Sequence, residues 1–303
     1  MSSPVAIAVA EGSSTAVAAA QAPRWADLLL HTLRFGRTRA GLAIVLLVVA
    51  VAVFGPLVAP HSETAFLGIP FSPGSRALPF GTDYLGRDVL SRFLAGGRSI
   101  LLLALVATVI GVVSGTALGL IAGYSLRVAD ELIMRVMDLI LAFPAIILVL
   151  LFISVVGPAL WLLALTVGVS YTPQVARVMR SAAVQVAESD FVRYAEALGV
   201  SRFRILFSEI LPNVVAPLTV EFGLRLTFSI GLVASLDYLG FGLQPPAADW
   251  GLMIHENQPG LTIAPWPVLL PVLAIALITI GTNLVTDGFG RAVARLDRNV
   301  EGK

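Results

Sequence analysis

Six apolar runs, each near the roughly 20 residues that a helix needs to cross a bilayer, constrain this chain more than any other feature. They cover residues 41–59, 100–123, 132–156, 159–176, 214–236 and 268–285. Pro60 closes the first run, Pro144 interrupts the third and Pro173 lies in the fourth. Only 13% of the chain is charged and 57% is hydrophobic, whereas an ordinary soluble domain carries about 25% charged residues. Lipid must therefore be the solvent for much of the surface. The sequence predicts an all-α integral membrane protein of about six transmembrane helices.

The remaining composition excludes several chemistries. There are no cysteines, which rules out disulfides, thiolate metal sites and thiol catalysis. His31, His61 and His255 are scattered and no pair has metal-ligand spacing, so no metal is expected. No clustered His, Asp, Glu or Ser suggests a catalytic site. A net charge of +1 creates no field that would recruit nucleic acid. The only lysine is Lys303, and a P-loop needs Lys after its glycines to reach phosphate. If ATP drives this protein, another polypeptide hydrolyses it. The excess of Arg over Lys, with abundant Ala and Val, fits a high-GC bacterial genome.

Loop charge sets the orientation. Residues 1–23 are rich in Ala and Ser with one charge, Glu11, and are expected to be a disordered tail without the basic and apolar blocks of a signal peptide. Residues 24–39 combine Arg24, Arg34, Arg37 and Arg39 with Trp25, Leu28, Leu29, Leu33 and Phe35, the pattern of an interfacial helix. Together, 1–39 form an N-terminal segment before a membrane domain at 40–290 and a C-terminal tail at 291–303. With six spans, one side carries 15 Arg and Lys and the other carries 4. The positive-inside rule puts both termini and the 177–213 segment in the cytoplasm, and 60–98 and 238–267 outside.

Within the spans, Gly111, Gly115, Gly119 and Gly123 recur every four residues on one helix face. Such a stripe admits close backbone approach, either inside the chain or near a pathway between subunits. Glu221 and Arg225 are spaced for a self-neutralising i,i+4 pair, or line a cavity. Asp237, near the outer end of the same run, marks the membrane edge or faces a substrate vestibule.

The cytoplasmic stretch 188–212 reads Glu-Ser-Asp-Phe-Val-Arg-Tyr-Ala-Glu-Ala-Leu-Gly-Val-Ser-Arg-Phe-Arg-Ile-Leu-Phe-Ser-Glu-Ile-Leu-Pro. Ser189 or Asp190 can cap a short helix, Gly199 can end it, and Ser201 can cap a second helix that Pro212 follows. The expected result is an elbow between two spans, with Val192, Ala195, Leu198 and Gly199 on one side. The alternative is an ordinary interfacial connector.

This stretch resembles the EAA loop of ABC importer permeases, which reads Glu-Ala-Ala, three residues, Gly, nine residues, Ile-x-Leu-Pro. Gly199, Ala195 and Leu211-Pro212 match it, while Arg193, Tyr194 and Glu209 replace Glu, Ala and Ile. Arg at the first position is common in the peptide branch. Residues 80–92, Phe-Gly-Thr-Asp-Tyr-Leu-Gly-Arg-Asp-Val-Leu-Ser-Arg, are similar to the signature after the first span in dipeptide, oligopeptide and nickel permeases of the second type. Residues 238–246 with Trp250-Gly251 are similar to their last external loop. Val233 stands where many relatives carry an intramembrane Glu.

The resemblance implies a type I permease fold in a bacterial inner membrane, paired with a second, homologous permease subunit. It implies two ABC ATPase subunits that bind ATP and Mg and dock on the elbow, and an extracytoplasmic solute-binding protein. No cofactor is implied for this chain. The expected ATPase contact is Arg193, Tyr194, Ala195, Leu198, Gly199, Val200 and Arg202. Asp83, Arg87 and Asp88 are expected to dock the binding protein, to close the outer gate, or simply to hold a loop together. Gln244 and Trp250 belong to the last external loop, where Trp250 is expected to anchor at the membrane interface. Dipeptides, longer peptides, nickel chelates and glutathione are the substrates implied. An ion-coupled secondary transporter is the competing class, but it would leave the elbow unexplained.

Overall fold

A computed structural model describes residues 32, 35–125 and 127–301. The predicted tail at 1–23 and most of the predicted interfacial helix at 24–39 lie outside the described residues. Among the described residues from Gly36 on, twelve α-helices follow in order: α1 (Gly36–Val58), α2 (Val89–Ala95), α3 (Gly97–Tyr124), α4 (Arg127–Leu141), α5 (Ala145–Val156), α6 (Leu160–Ala187), α7 (Asp190–Ala197), α8 (Arg202–Ile205), α9 (Leu211–Asn213), α10 (Val215–Tyr238), α11 (Trp250–Asn257) and α12 (Trp266–Glu301). Among the described residues the only β pairing is two isolated bridges, Phe66 with Arg87 and Thr82 with Asp88.

Among the described residues, four rods are long and apolar enough to span a bilayer: α1, the continuous α2–α3 stretch, α10 and the described part of α12. The pair α4 and α5 passes the same test together but is bent, meeting at 84°. The third apolar run is thus two helices and not one. Pro144 lacks a donor N–H and disfavours helical backbone in the residue before it, so the break falls at 142–144. Arg177 and Arg180 of α6 bind Asp138 and Asp130 of α4, which fixes the charged α4 against α6. Helix α6 is less apolar and is heavily buried by its neighbours. It runs through Pro173 to Ala187, so the first part of the predicted aqueous segment continues this helix. Likewise α12 reaches Glu301 without a break, and the C-terminal tail is an extension of the last span.

The glycine stripe packs α3 onto α6 within this chain. A Cβ at Gly111 would sit 2.7 Å from the Gly168 carbonyl, one at Gly115 2.6 Å from Val175 Cβ, one at Gly119 2.5 Å from the Ala176 carbonyl, and one at Gly123 2.8 Å from Ala183 Cβ. Gly168 returns the contact against the Ala107 carbonyl. Lipid gives little hydrophobic drive between helices, so this approach replaces it with dispersion. Buried hydroxyls add cross-helix bonds: Thr108 to Ser229 at 3.0 Å and Thr227 to Thr282 at 3.0 Å. Two apolar cores result. One surrounds Ile100, Leu163, Val167, Leu236 and Trp250. The other lies beneath the elbow around Val175, Met179, Val192, Ile205 and Ile210.

Candidate coupling elbow and outer network

Residues 188–214 fold as an elbow on the second core. Helix α7 ends at Gly199, whose φ of +75° is strained for any residue with a Cβ. The Gly199 N–H donates to the Glu196 carbonyl at 2.9 Å, and the Val200 N–H to the Ala195 carbonyl at 3.1 Å. A Cβ at Gly199 would meet nothing within 4 Å, so the turn needs glycine for its backbone and not for space. The predicted caps differ in detail. Ser189 and Ser201 occupy the positions before α7 and α8, but neither side chain caps the helix. The Ser189 hydroxyl instead donates to the Val186 carbonyl.

Pro212 does not stop the second helix. The chain passes from α8 through a π-helical turn at Leu206–Ile210 into α9. The Leu211 N–H reaches back five residues to Leu206, and Asn213 Nδ2 caps the Glu209 carbonyl at 2.6 Å. Pro212 cannot donate to the carbonyl four residues before it, and one widened turn lets the backbone continue around that gap.

The elbow's side chains divide between core and solvent. Val192 is fully buried, and Ala195 and Val200 pack against the core beneath. Leu198 and Gly199 point outward, so these four residues do not share one face. The exposed surface carries Arg193, Arg202, Tyr194 (69% exposed), Leu198 (66%) and Phe203 (74%). Phe203 lies 4.6 Å from the partly exposed Phe207, ring centre to ring centre. The sequence reading omitted Phe191, Phe203 and Phe207. Large apolar residues in an otherwise charged connector were the available signal, with the four-residue spacing of Phe203 and Phe207 as its sharpest part.

At the opposite end of the bundle, the segments around Asp83 and Glu256 lock together through buried charge. Asp83 Oδ1 accepts the Leu85 and Arg87 N–H groups, both at 2.9 Å, and its Oδ2 accepts Arg87 Nε at 2.7 Å. Glu256 of α11 accepts Arg87 Nη2 at 3.1 Å, Arg92 Nη2 at 2.9 Å and the Tyr84 hydroxyl at 3.0 Å. Arg92 Nε lies 3.3 Å from Asp83 Oδ2, near enough to pair but without hydrogen-bond alignment. Two guanidinium groups thus balance two carboxylates, all nearly excluded from solvent. Burial, followed by the neighbouring Glu256 charge, pushes the Tyr84 phenol above its ordinary pKa.

Asp88 plays a separate part. It caps α2 through the Leu90 and Ser91 N–H groups and accepts the Ser91 hydroxyl at 2.6 Å, with His61 Nδ1 at 3.1 Å. Asp83, Arg87 and Asp88 are therefore internal ties with no exposed charge to offer. Trp250 is not an interface anchor. It is fully buried, stacks on Phe93 at 5.6 Å and donates to the Phe93 carbonyl at 2.8 Å. Gln244 is exposed and donates to the Gly240 carbonyl at 2.9 Å and the Gly242 carbonyl at 3.2 Å, stiffening its own loop. The sequence reading missed Glu256 as the group that joins the two segments.

In the membrane region, Arg225 Nε donates to Glu221 Oε2 at 3.1 Å, and its guanidinium lies over the rings of Tyr171 and Phe228 at 5.8 Å and 5.5 Å. Asp237 is buried near the C-terminal end of α10, with Gly242 and Gly251 packed against its side chain. Among the described residues, no group of three or more acidic or histidine side chains is arranged to hold a metal.

Residues 115–297 match the family described as binding-protein-dependent transport system inner membrane component. The chain is 35% identical to a dipeptide transport system permease protein DppC of Alkalihalophilus pseudofirmus, over 84% of each chain. It is 37% identical to a di/tripeptide transport system permease protein DppC of Pseudomonas aeruginosa, over 84% of this chain and 86% of that one. It is 34% identical to a glutathione transport system permease protein GsiD of Pectobacterium atrosepticum, over 89% and 90%. The bent α4–α5 pair and the elbow between two rods accompany these matches, which show that the chain belongs to the inner-membrane component family of binding-protein-dependent transport systems.

Proposed function

We propose that this chain is a permease subunit of an ATP-binding-cassette importer for di- and oligopeptides. It forms half of a translocation pathway with a second, homologous permease. Two ATPase subunits bind ATP and Mg, hydrolyse the nucleotide and grip the elbow; this chain performs no catalysis itself. A solute-binding protein delivers peptide from outside. The elbow faces the cytoplasm of a bacterial cell, as do both termini, and residues 60–98 and 238–267 face outward.

The observation that carries this reading is the elbow's solvent-facing apolar surface, Tyr194, Leu198 and Phe203, flanked by Arg193 and Arg202. A connector with no partner has no reason to expose three large apolar groups between cations, and such patches mark binding surfaces. The core beneath, holding Val192, Ile205 and Ile210, makes the elbow a short rigid lever. ATPase closure displaces the lever, and the rods rock between inward- and outward-facing states.

Peptide is the preferred substrate class because two of the relatives above carry dipeptide or di/tripeptide transport in their names. The relative named for glutathione transport supports glutathione, itself a tripeptide, as a second reading. Reconstitution with the partner subunits in proteoliposomes tests both. ATP-dependent uptake of labelled dipeptide supports the first, and uptake of glutathione alone supports the second. Failure of the ATPase subunits to co-purify with this chain refutes the importer assignment.

A further inference from the structure

Helices α1 and α12 pack through glycine. A Cβ on Gly41 would fall 2.8 Å from the Gly281 carbonyl, and one on Gly288 2.0 Å from Thr38 Oγ1. At the N-terminal end of α1 this contact borders a cavity of about 230 Å³. Gly36, Arg37 and Thr38 of α1 line it with Leu284, Gly288 and Arg291 of α12. Both helices are long and apolar enough to span a bilayer. The cavity lies at the rim of both, the level at which lipid headgroups meet a span.

Its donors are left without acceptors. The first helical bond of α1 runs from the Arg39 N–H to the Phe35 carbonyl at 3.2 Å, so the N–H groups of Gly36, Arg37 and Thr38 lie ahead of it. Among the described residues no side chain caps them, and no acidic residue stands in the first turn. Thr38 adds an independent sign. It is 2% exposed, and its Oγ1 has no hydrogen-bond partner among the described residues. That hydroxyl points into the gap left by Gly288, which lines the same cavity. A hydroxyl unpaired in such a place is costly unless something supplies an acceptor.

The charges agree. Arg37 and Arg291 are both exposed and both line the cavity. Arg291 makes only a 3.8 Å contact with the exposed Asp287, too long for a hydrogen bond. Two guanidinium groups, the N-terminus of a 23-residue helix and a buried hydroxyl together suit an anion with several acceptor oxygens. Phosphate has that charge and shape, and headgroup phosphates are found at this depth.

We propose that the cavity between the start of α1 and the end of α12 binds a phosphate-bearing anion. Arg37 and Arg291 pair with its charge, and the first N–H groups of α1 and the Thr38 O–H donate to its oxygens. The bound group ties the first span to the last, so it stabilises the fold by mass action. An anionic lipid headgroup and a soluble phosphate share this chemistry, and the test separates them.

The test uses the full chain, with the subunits that co-purify, in phosphate-free buffer. It is placed in nanodiscs of phosphatidylcholine alone or mixed with phosphatidylglycerol, and thermal unfolding is followed. Phosphatidylglycerol is expected to raise the midpoint by about 3 °C or more. The double variant Arg37→Ala/Arg291→Ala is expected to lose most of that rise. Arg39→Ala/Arg127→Ala removes the same charge from exposed residues outside the lining and is expected to keep it. Thr38→Val preserves shape without the hydroxyl, so its rise is expected to shrink while its midpoint in phosphatidylcholine alone does not fall. A rise that inorganic phosphate also produces in phosphatidylcholine discs, and that the Arg37/Arg291 variant loses, assigns the site to soluble phosphate. A rise confined to phosphatidylglycerol assigns it to lipid. An equal rise in wild type and the Arg37/Arg291 variant, an equal loss in the two double variants, or no rise with either phosphate source overturns the proposal.

Discussion

Arg87 and Glu256 lie 169 residues apart in the chain and meet at 3.1 Å inside a buried four-charge network. The segments around Arg87 and Glu256 thereby become one cap. Removing one member of such a network strands the others in a medium of low dielectric, a cost of about 3–5 kcal/mol. Arg87→Ala and Glu256→Ala are each expected to lower the thermal midpoint sharply. The double variant is expected to lose less than the sum of the singles. Additive losses in that double-mutant cycle would mean that the two groups do not interact.

Charge reversal at Arg87 separates structural from docking roles. In a variant that still assembles, capture by the solute-binding protein is expected to persist, because Arg87 has no exposed charge to offer. A pull-down that loses the binding protein while the permease remains folded would restore a docking role.

Substitution at Gly199 separates backbone strain from partner contact. Its φ of +75° costs an L-residue about 1–2 kcal/mol, less for Asn than for Ala. Gly199→Asn is expected to retain more stability and uptake than Gly199→Ala. At Gly199 an added Cβ meets nothing within 4 Å, so the Gly199→Trp chain, despite the same backbone cost, should reach the membrane while uptake uncouples from ATP hydrolysis. Wild-type transport by the Trp variant would remove Gly199 from the coupling surface.

Leu198→Asp and Phe203→Asp alter residues that are already largely exposed. The midpoint of the isolated chain is expected to shift little, while co-purification of the ATPase subunits falls at least tenfold, about 1.4 kcal/mol in binding. Val192→Asp, on the buried side of the same elbow, is expected to unfold it. Intact ATPase capture by both surface variants would show that the apolar patch serves something else.

The α3–α6 contact predicts a graded series. A side chain at Gly119 meets a carbonyl at 2.5 Å, and overpacking typically costs about 1–3 kcal/mol. Gly119→Ala is expected to destabilise, Gly119→Val more so, and Gly231→Ala, with no atom within reach of its Cβ, hardly at all. Equal midpoints across the three variants would mean that the stripe does not set helix distance.

The sequence by itself determined the solvent, the approximate rods and the elbow's position. Runs of 18 or more apolar residues have no other stable environment than lipid, and the backbone within them must be helical. Gly199 was legible as a helix end because the left-handed turn selects glycine. The four-residue glycine repeat was legible as a contact face, but only the tertiary structure chose α6 as its partner. Side-chain direction was decided the same way. The spacing of Val192, Ala195, Leu198 and Gly199 looked one-sided, yet the core under α7 took the first two and left the others to solvent. Trp250 looked like an interfacial anchor until packing buried it against Phe93. The pairing of Arg87 with Glu256 had no local signature. Ion pairs depend on distances between segments, which helix packing sets and sequence separation does not.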